Sequence, residues 1–396
     1  MATTLTGTDA TAAAARATPD LLAVLPPLGQ AEFDAMVERL ARALPGEQLL
    51  IAVPTGVAAE EREGVRFVEA APLESPWLPT AAAFVQADRL ATEHHARGLL
   101  LLGPACESLG TAGVRALAEA VLTASADLAA PCYALPPLAG LVNSALVYPL
   151  CRTLFAVPVR YPLAVDLGLS PRMAERLARA AGRMVAMNQG AAPLWTVSEA
   201  ALAGMTVEEV DAGPRELPPP GATDLQTILP LVAGSLFHEI DAKAAFWQRA
   251  RVAAPVRHAA LERAKAAEGT DAAPMLQAFR LGYANLKEIW GMVLSPNSML
   301  GLKRLSQAEG TAFRMADELW VRIVYDFVVA WRLRTLNRSH LLGALVPLYL
   351  GWVASHIHLM AAGADAEQHV EALASAFEAD KPYLVARWRW PDRFNP

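Results

Sequence analysis

The stretch LLLLGPACESLG, residues 99–110, joins four leucines to a Gly-Pro turn and a single carboxylate, Glu107. Carboxylates that follow a buried strand can hold a divalent cation such as Mg²⁺ or Mn²⁺. Only one carboxylate stands here, and it precedes the helical pattern SLGTAGVRAL. An acidic residue also stabilises the start of a helix. Glu107 is therefore either a metal ligand in a shifted register or a helix-start residue, and the second role is the more common one.

Two arginines and an asparagine are the other polar residues that could act on an anion. Arg160, in PVRYPLAVD, can bind a phosphate or carboxylate through two parallel hydrogen bonds, or it can pair with an acid at a strand edge. Arg215, in GPRELPPPG, can place a positive charge beside a developing anion. Asn143 shares an amphipathic segment with Tyr148 and Arg152, which either lines a site or anchors a helix to a sheet.

Other catalytic chemistries have no sequence signal. The chain contains no GxSxG elbow, no Walker loop and no GxGxxG fingerprint. The histidine pairs His94-His95 and His356/His358 do not share a helix face, which predicts packing or surface roles and no metal site. The three cysteines show no CxxC spacing and are predicted to be reduced, packed thiols.

Length, charge and hydrophobic content limit the class of protein. With 396 residues, 54% hydrophobic, the chain can bury the cores of two domains. A net charge of -6 gives no reason to expect nucleic acid as a partner. Residues 1–19 lack the apolar region of a secretion signal, so we predict a flexible leader and a cytoplasmic protein.

The apolar segment 340–363 is long enough to cross a bilayer. It contains Pro347 and three histidines, and ionisable residues inside a membrane need special partners. We therefore predict a buried helix pair and no transmembrane segment, while peripheral contact with a membrane surface stays open.

Apolar runs that break at Pro or Gly alternate with helical patterns in the first half of the chain, which predicts an α/β domain with a mainly parallel sheet. Strands are expected within residues 20–28, 47–56, 64–72, 97–105 and 127–137, and helices within 30–44, 80–97 and 111–125. Beyond the proline-rich residues 213–224 the pattern is helical throughout. We predict an α/β domain over 20–220 and an all-α domain over 221–396. Ligands bind beyond the carboxyl ends of such strands, which places the turn at Gly103 at a candidate site.

Residues 140–170, GLVNSALVYPLCRTLFAVPVRYPLAVDLGLS, resemble the GT-A glycosyltransferases of the glucosylglycerate and mannosylglycerate synthase type. The shared pattern is an Asn-bearing helix, Tyr-Pro-Leu, Arg, and then VRxPxGGDFGLS. The stretches 313–331, 340–355 and 381–388 are similar to the C-terminal helices of the same group. The resemblance implies a GT-A (Rossmann-like) fold and transfer of a hexose from a nucleotide-diphosphate sugar to a small acceptor such as glycerate. It also implies Mg²⁺ or Mn²⁺ held by an Asp-x-Asp motif.

Several positions depart from that pattern. Gly103 and Ala105 stand where the family has its two aspartates, and neither side chain can bind a metal; Ser108 matches the family serine. Arg215 stands near the position at which the family has a metal-binding histidine. The acidic and lysine-bearing loops of the family are replaced in residues 52–64, 77–84 and 188–202.

Asp166 matches the aspartate of the family's Gly-Gly-Asp, near the sugar site, and is our candidate catalytic residue. Ala164 and Val165 replace the two glycines, whose missing Cβ atoms would allow close backbone approach, so Asp166 either acts at the sugar site or caps a turn. The candidates for donor or acceptor binding are Arg160, Arg215, Glu107, Ser108 and Asn143. No residue is assigned to a metal, and the cofactor is left unassigned.

Two functions are compatible with these residues. One is a glycosyltransferase with a relocated or metal-free site that takes a nucleotide sugar. The other is a catalytically inactive homologue that acts as an interaction or regulatory partner, either as a homo-oligomer or with an intact glycosyltransferase.

Overall fold

The computed structural model describes residues 18–54, 57–60, 63–70, 79–190, 192–216, 222–251 and 271–391; the predicted leader lies almost entirely outside them. The strands are β1 Leu21–Val24, β2 Leu49–Pro54, β3 Val65–Ala70, β4 Gly98–Leu101, β5 Leu128–Ala134, β6 Leu167–Leu169 and β7 Val207–Pro214. The helices are α1 Gln30–Ala43, α2 Ala81–His94, α3 Thr111–Leu122, α4 Tyr148–Phe155, α5 Pro171–Ala186, α6 Thr196–Ala203, α7 Ala222–Ala242, α8 Ala244–Trp247, α9 Ala273–Val293, α10 Pro296–Ser306, α11 Asp317–Leu333, α12 Arg338–Ala361 and α13 Ala366–Arg389. A 3₁₀ turn spans Cys106–Ser108 and a π-helical turn spans Asn143–Val147.

The strands form one sheet of order β3-β2-β1-β4-β6-β5-β7. Alternate residues of β1 point to opposite faces: Leu21 and Ala23 join the core beneath α1 and α3, whereas Leu22 and Val24 join the core beneath α2 and α5. Both faces of the central strands are covered, which is why these strands read as continuous apolar runs. The predicted α/β domain with a mainly parallel sheet, followed by a helical part, is confirmed.

Two strands were not expected from the sequence. The three-residue β6 pairs antiparallel with both β4 and β5 and is too short to show a period. Strand β7 reads VEEVDAGP and pairs with β5 alone, at the edge of the sheet. An edge strand needs no continuous apolar run, so its charged residues hid it.

Helix α12 is a single 24-residue helix, not the predicted helix pair. Among the described residues, α12 is the one helix that is both long enough and apolar enough to cross a membrane. Of its most apolar stretch, 61% is buried inside the protein. Its Pro347 packs where the missing side chain of Gly282 in α9 leaves room. This burial favours the core helix expected from the sequence, and the absence of a span stays a prediction.

Buried arginines join the sheet domain to α13. Arg152 of α4 is 3% exposed; its Nε lies 2.7 Å from Glu378 Oε1 and its Nη1 lies 2.6 Å from Glu371 Oε2. Tyr148, one turn earlier, donates from its hydroxyl to Glu371 at 2.5 Å. An apolar core also runs from α2 and α4 into α11–α13 without interruption. The division at residues 220/221 stays a prediction, but the two parts share one core.

We predict that Arg152→Ala lowers the free energy of unfolding by about 3 kcal/mol, because it removes the arginine that pairs with the largely buried Glu378 and leaves that carboxylate facing a gap. Urea unfolding followed by circular dichroism measures this. The control is Arg42→Ala, which removes an exposed pair with Glu38 and should cost less than about 0.5 kcal/mol. Equal effects of the two substitutions would contradict the proposed role of Arg152.

Candidate functional site

Asp166 lies just before β6, at the end of the sheet where β4 and β5 finish, and its side chain is completely buried. Its Oδ1 accepts a hydrogen bond from the backbone N–H of Gly103 at 2.9 Å. Its Oδ2 accepts from the hydroxyl of Tyr133 on β5 at 2.8 Å. Burial, followed by the Asp166 charge, raises the pKa of Tyr133 well above its usual value, so the phenol remains a donor. Asp166 therefore holds the turn after β4 against β5.

Arg215, directly after β7, pairs with this carboxylate. Its Nε lies 2.9 Å from Asp166 Oδ2 and its Nη2 lies 3.3 Å from Oδ1, and both side chains are 0% exposed. Nη2 also donates to the Pro104 carbonyl at 2.7 Å, while Nη1 donates to the Ala105 carbonyl and, at 2.7 Å, to Ser108 Oγ. Burial opposes the positive charge and is the largest single influence on the pKa of Arg215, but the charge and hydrogen bonds of Asp166, with smaller contributions from Tyr133 and Cys106, together raise it. Every N–H of the guanidinium is engaged within the protein.

The residues around Asp166 do not fit a divalent cation. A Cβ atom at Gly103 would lie 2.5 Å from Val165 Cβ and 2.8 Å from the Val165 carbonyl oxygen, so an aspartate at that position would require the backbone at Val165 to move. The carbonyls of Pro104 and Ala105 already accept from Arg215. Among the described residues, no three His, Cys, Asp or Glu side chains are grouped as metal ligands. A guanidinium thus supplies the positive charge at this turn.

Glu107 and Ser108 both belong to the 3₁₀ turn that follows β4. Ser108 Oγ accepts from Arg215 and from the Glu216 backbone N–H at 3.1 Å, and donates to the Ala105 carbonyl at 2.8 Å. We expected Glu107 at the start of a helix, and this expectation was wrong. Helix α3 begins at Thr111 with Gly110 as its N-cap. The Glu107 Oε2 atom is buried and has no hydrogen-bond partner among the described residues.

Arg160 and Asn143 form a second cluster. Arg160 is 3% exposed and makes a two-point ion pair with Glu367 of α13, through Nε at 2.9 Å and Nη2 at 3.1 Å. Asn143 Nδ2 donates to the Arg160 carbonyl at 2.8 Å, and Ser144 Oγ accepts from Arg160 Nη2 at 2.9 Å. Arg160 Nη1 and Asn143 Oδ1 are buried without a partner among the described residues. The arginine is thus a buried ion-pair partner, not the surface residue that its strand-edge position suggested.

Tyrosines join the two clusters. The rings of Tyr133 and Tyr161 lie 5.3 Å apart, and the Arg160 guanidinium lies 4.7 Å from the centre of the Tyr161 ring. The structure therefore brings together Asp166, Arg215 and Ser108, and places Arg160 and Asn143 one aromatic layer away. We did not single out Tyr133 or Glu367 from the sequence. The one signal for Tyr133 was a lone hydroxyl in an otherwise apolar strand.

The histidines of α12 face different partners. His356 is 1% exposed, its Nδ1 lies 2.8 Å from His369 Nδ1, and its Nε2 lies 3.3 Å from the Pro137 carbonyl in the loop after β5. Burial, followed by the charge of His369, lowers the pKa of His356 to about 4; nearby Arg160 acts in the same direction and Glu367 opposes it. His358 instead approaches the Phe313 carbonyl at 3.2 Å.

No family model matches this chain, and no curated protein matches it. Matching solved structures include glucosyl-3-phosphoglycerate synthase from Mycobacterium tuberculosis with Mn²⁺, UDP-glucose and phosphoglyceric acid: 16% identity over 56% of this chain and 80% of that chain, TM-score 0.35. The same enzyme with glycerol 3-phosphate is 17% identical over 60% and 85%, with a TM-score of 0.36. A mycobacterial protein is 14% identical over 60% and 79%, with a TM-score of 0.35.

Because their TM-scores lie below 0.5 and their identities below 25%, these matches carry no argument about this chain. The GT-A fold stays what the sequence resemblance implies. The chemistry open to this chain is therefore decided by its own contacts.

We predict that Gly103→Ala destabilises the protein by about 1–3 kcal/mol, because the added methyl group would overlap Val165. In a double-mutant cycle, Val165→Gly should recover part of that loss by removing one of the two clashing atoms. Urea unfolding measures the effect. Gly182→Ala is the control: nothing lies within 4 Å of its new methyl group, and alanine favours helix α5. An unchanged stability of Gly103→Ala would contradict the close packing of this turn against Val165.

We predict that His356 makes the fold less stable as the pH falls from about 6.5 to 4. In this window the unfolded chain binds a proton at His356 and the folded chain does not, so acid favours unfolding, by about 3 kcal/mol at most. Unfolding free energies measured against pH for wild type and His356→Gln should diverge there. His340→Gln, at an exposed histidine, serves as the control. Parallel curves for wild type and His356→Gln would show that His356 is not the responsible group.

Proposed function

We propose that this chain is a pseudoenzyme: a GT-A-like protein that does not transfer sugars and that acts as an interaction or regulatory partner. The observation that carries the proposal is the buried Asp166–Arg215 pair with its contacts to Pro104, Ala105 and Ser108. The residue that could have neutralised a leaving diphosphate is instead bonded to the protein on every side.

Magnitudes support this choice. Removing one preorganised electrostatic group from an active site typically lowers the rate by about 10²–10³. Here the metal ligands are replaced by Gly103 and Ala105, and Arg215 has no donor left for a phosphate. Freeing Arg215 would leave Asp166 buried without its counterion, at a cost of about 3–5 kcal/mol. A diphosphate would have to supply that free energy before any chemistry began.

A second candidate is metal-free transfer of a hexose from a nucleotide-diphosphate sugar to a small acid such as glycerate. The observation in its favour is that Arg160 Nη1, a donor, and Asn143 Oδ1, an acceptor, are both buried without a partner among the described residues, and that the two residues share one polar cluster. Arg160 would bind the acceptor carboxylate, and Arg215 would have to turn from Asp166 to the diphosphate. The ion pair with Glu367 limits the first step, and the burial of Asp166 limits the second.

We expect calorimetric titration of the full chain with UDP-glucose and GDP-mannose, with and without Mn²⁺, to give no saturable heat. Incubation of either donor with glycerate or 3-phosphoglycerate should give no product. Tight donor binding with turnover would overturn the pseudoenzyme proposal and select the transferase. If Arg215→Lys then lost turnover but kept donor binding, Arg215 would be assigned the stabilisation of the leaving diphosphate.

The proposal also states that the chain binds another protein or a second copy of itself. Purification from the native cells should recover the chain either in a complex with a second protein at a fixed stoichiometry or as a defined oligomer. Repeated recovery as a lone monomer would count against it.

A further inference from the structure

The helical part has a basic end that lies far from Asp166. Two contacts show that helices α11 and α13 run parallel. Arg322 donates to Asp380 in the interior of the helices, and Arg332 donates to the Trp388 carbonyl near their C-termini. Helix α12 begins at the same end, because only four residues separate it from the end of α11. The opposite end of α13 carries Glu367, which pairs with Arg160. The 24 residues of α13 separate these two ends by about 36 Å.

Positive charge and exposed apolar side chains coincide at this end. Arg332 lies with its guanidinium 4.3 Å from the centre of the Trp388 ring, and Arg389 donates from Nε to Gln248 at 3.0 Å. Leu333 is 47% exposed and Trp390 is 63% exposed. The basic face comprises Arg249, Arg332, Arg334 and Arg389 together with Leu333 and Trp390, all of them exposed.

The last carboxylates of α11 and α13 before this end are Asp326 and Asp380, and both have partners; Asp380, whose side chain is 23% exposed, pairs with Arg322. Asp326 is 0% exposed, accepts from the Tyr383 hydroxyl at 2.6 Å, and lies 3.6 Å from Arg387. Glu378 is bound to Arg152. The outward side chains of the basic face are therefore cationic or apolar, although the whole chain carries a net charge of -6. This charge separation favours one orientation towards an anionic surface.

Arginines at helix C-termini also offset the helix macrodipole, which accounts for the charge of Arg332 and Arg389. It does not account for an exposed tryptophan and leucine beside them. Such a combination fits a membrane interface, where basic residues meet anionic headgroups and Trp and Leu enter the boundary with the acyl chains. We propose that the basic face docks on an anionic lipid surface. The proposal is independent of the proposed function.

The test is co-sedimentation of the full chain with phosphatidylcholine vesicles that contain no phosphatidylserine or about 30% of it. We expect binding to the anionic vesicles alone, weakened by salt. Each arginine near such a surface contributes about fivefold to partition, so Arg334→Gln with Arg389→Gln should lower it about 25-fold. Trp390→Ser should also lower it. The matched control is Arg42→Gln with Arg89→Gln, which removes the same charge from exposed positions of α1 and α2.

Circular dichroism of each variant verifies the fold, and the single Trp390→Ser change keeps the test valid if the double variant unfolds. Equal binding to neutral and anionic vesicles would overturn the proposal. Unchanged partition of the folded double variant would also overturn it. A chain that binds a short DNA duplex but neither kind of vesicle would overturn it as well.

Discussion

The ion pair between Asp166 and Arg215 ties together four segments that are distant in sequence: the turn after β4, the hydroxyl of Tyr133 on β5, the residues before β6, and the end of β7. A buried ion pair contributes little net stability compared with apolar residues of equal volume. Removing one partner is costly, however, because the other charge stays buried. The pair therefore constrains conformation: it keeps the carbonyls of Pro104 and Ala105 directed at Arg215.

Gly103, Val165 and Arg215 form one packing arrangement. Val165 fills the space that a side chain at residue 103 would need, so residue 103 is glycine. With no carboxylate there, the positive charge of Arg215 balances Asp166 directly. An aspartate at residue 103 would clash with Val165 and compete with Asp166 for Arg215. The residues at these three positions therefore depend on one another.

Helix α13 imposes the second constraint. Its Glu367, Glu371 and Glu378 reach back to arginines of the sheet domain, and Arg160 and Arg152 are buried by these contacts. Because an arginine can hold two carboxylate oxygens at once, its partner also sets its orientation. Both arginines of this junction thus bind carboxylates of the protein itself, so the attachment of the helical part decides how much charge is left for a ligand.

The sequence by itself determined the elements whose burial is complete. Central strands such as β1 and β4 have two covered faces and therefore read as apolar runs, and the amphipathic helices α1, α2 and α3 show their buried stripes. Through the family resemblance it also made Asp166, Arg215 and Ser108 candidate site residues and implied that Gly103 and Ala105 stand where that family has aspartates. Strand β7 escaped notice because an edge strand tolerates charged residues, and β6 because three residues show no period. Only the tertiary structure decided what the candidates do. Whether Arg215 faces a ligand or Asp166, and whether Arg160 is free or bound to Glu367, depends on contacts across 49 and 207 residues. No local pattern encodes such partners, because the partner of a charge is set by the packing of distant segments.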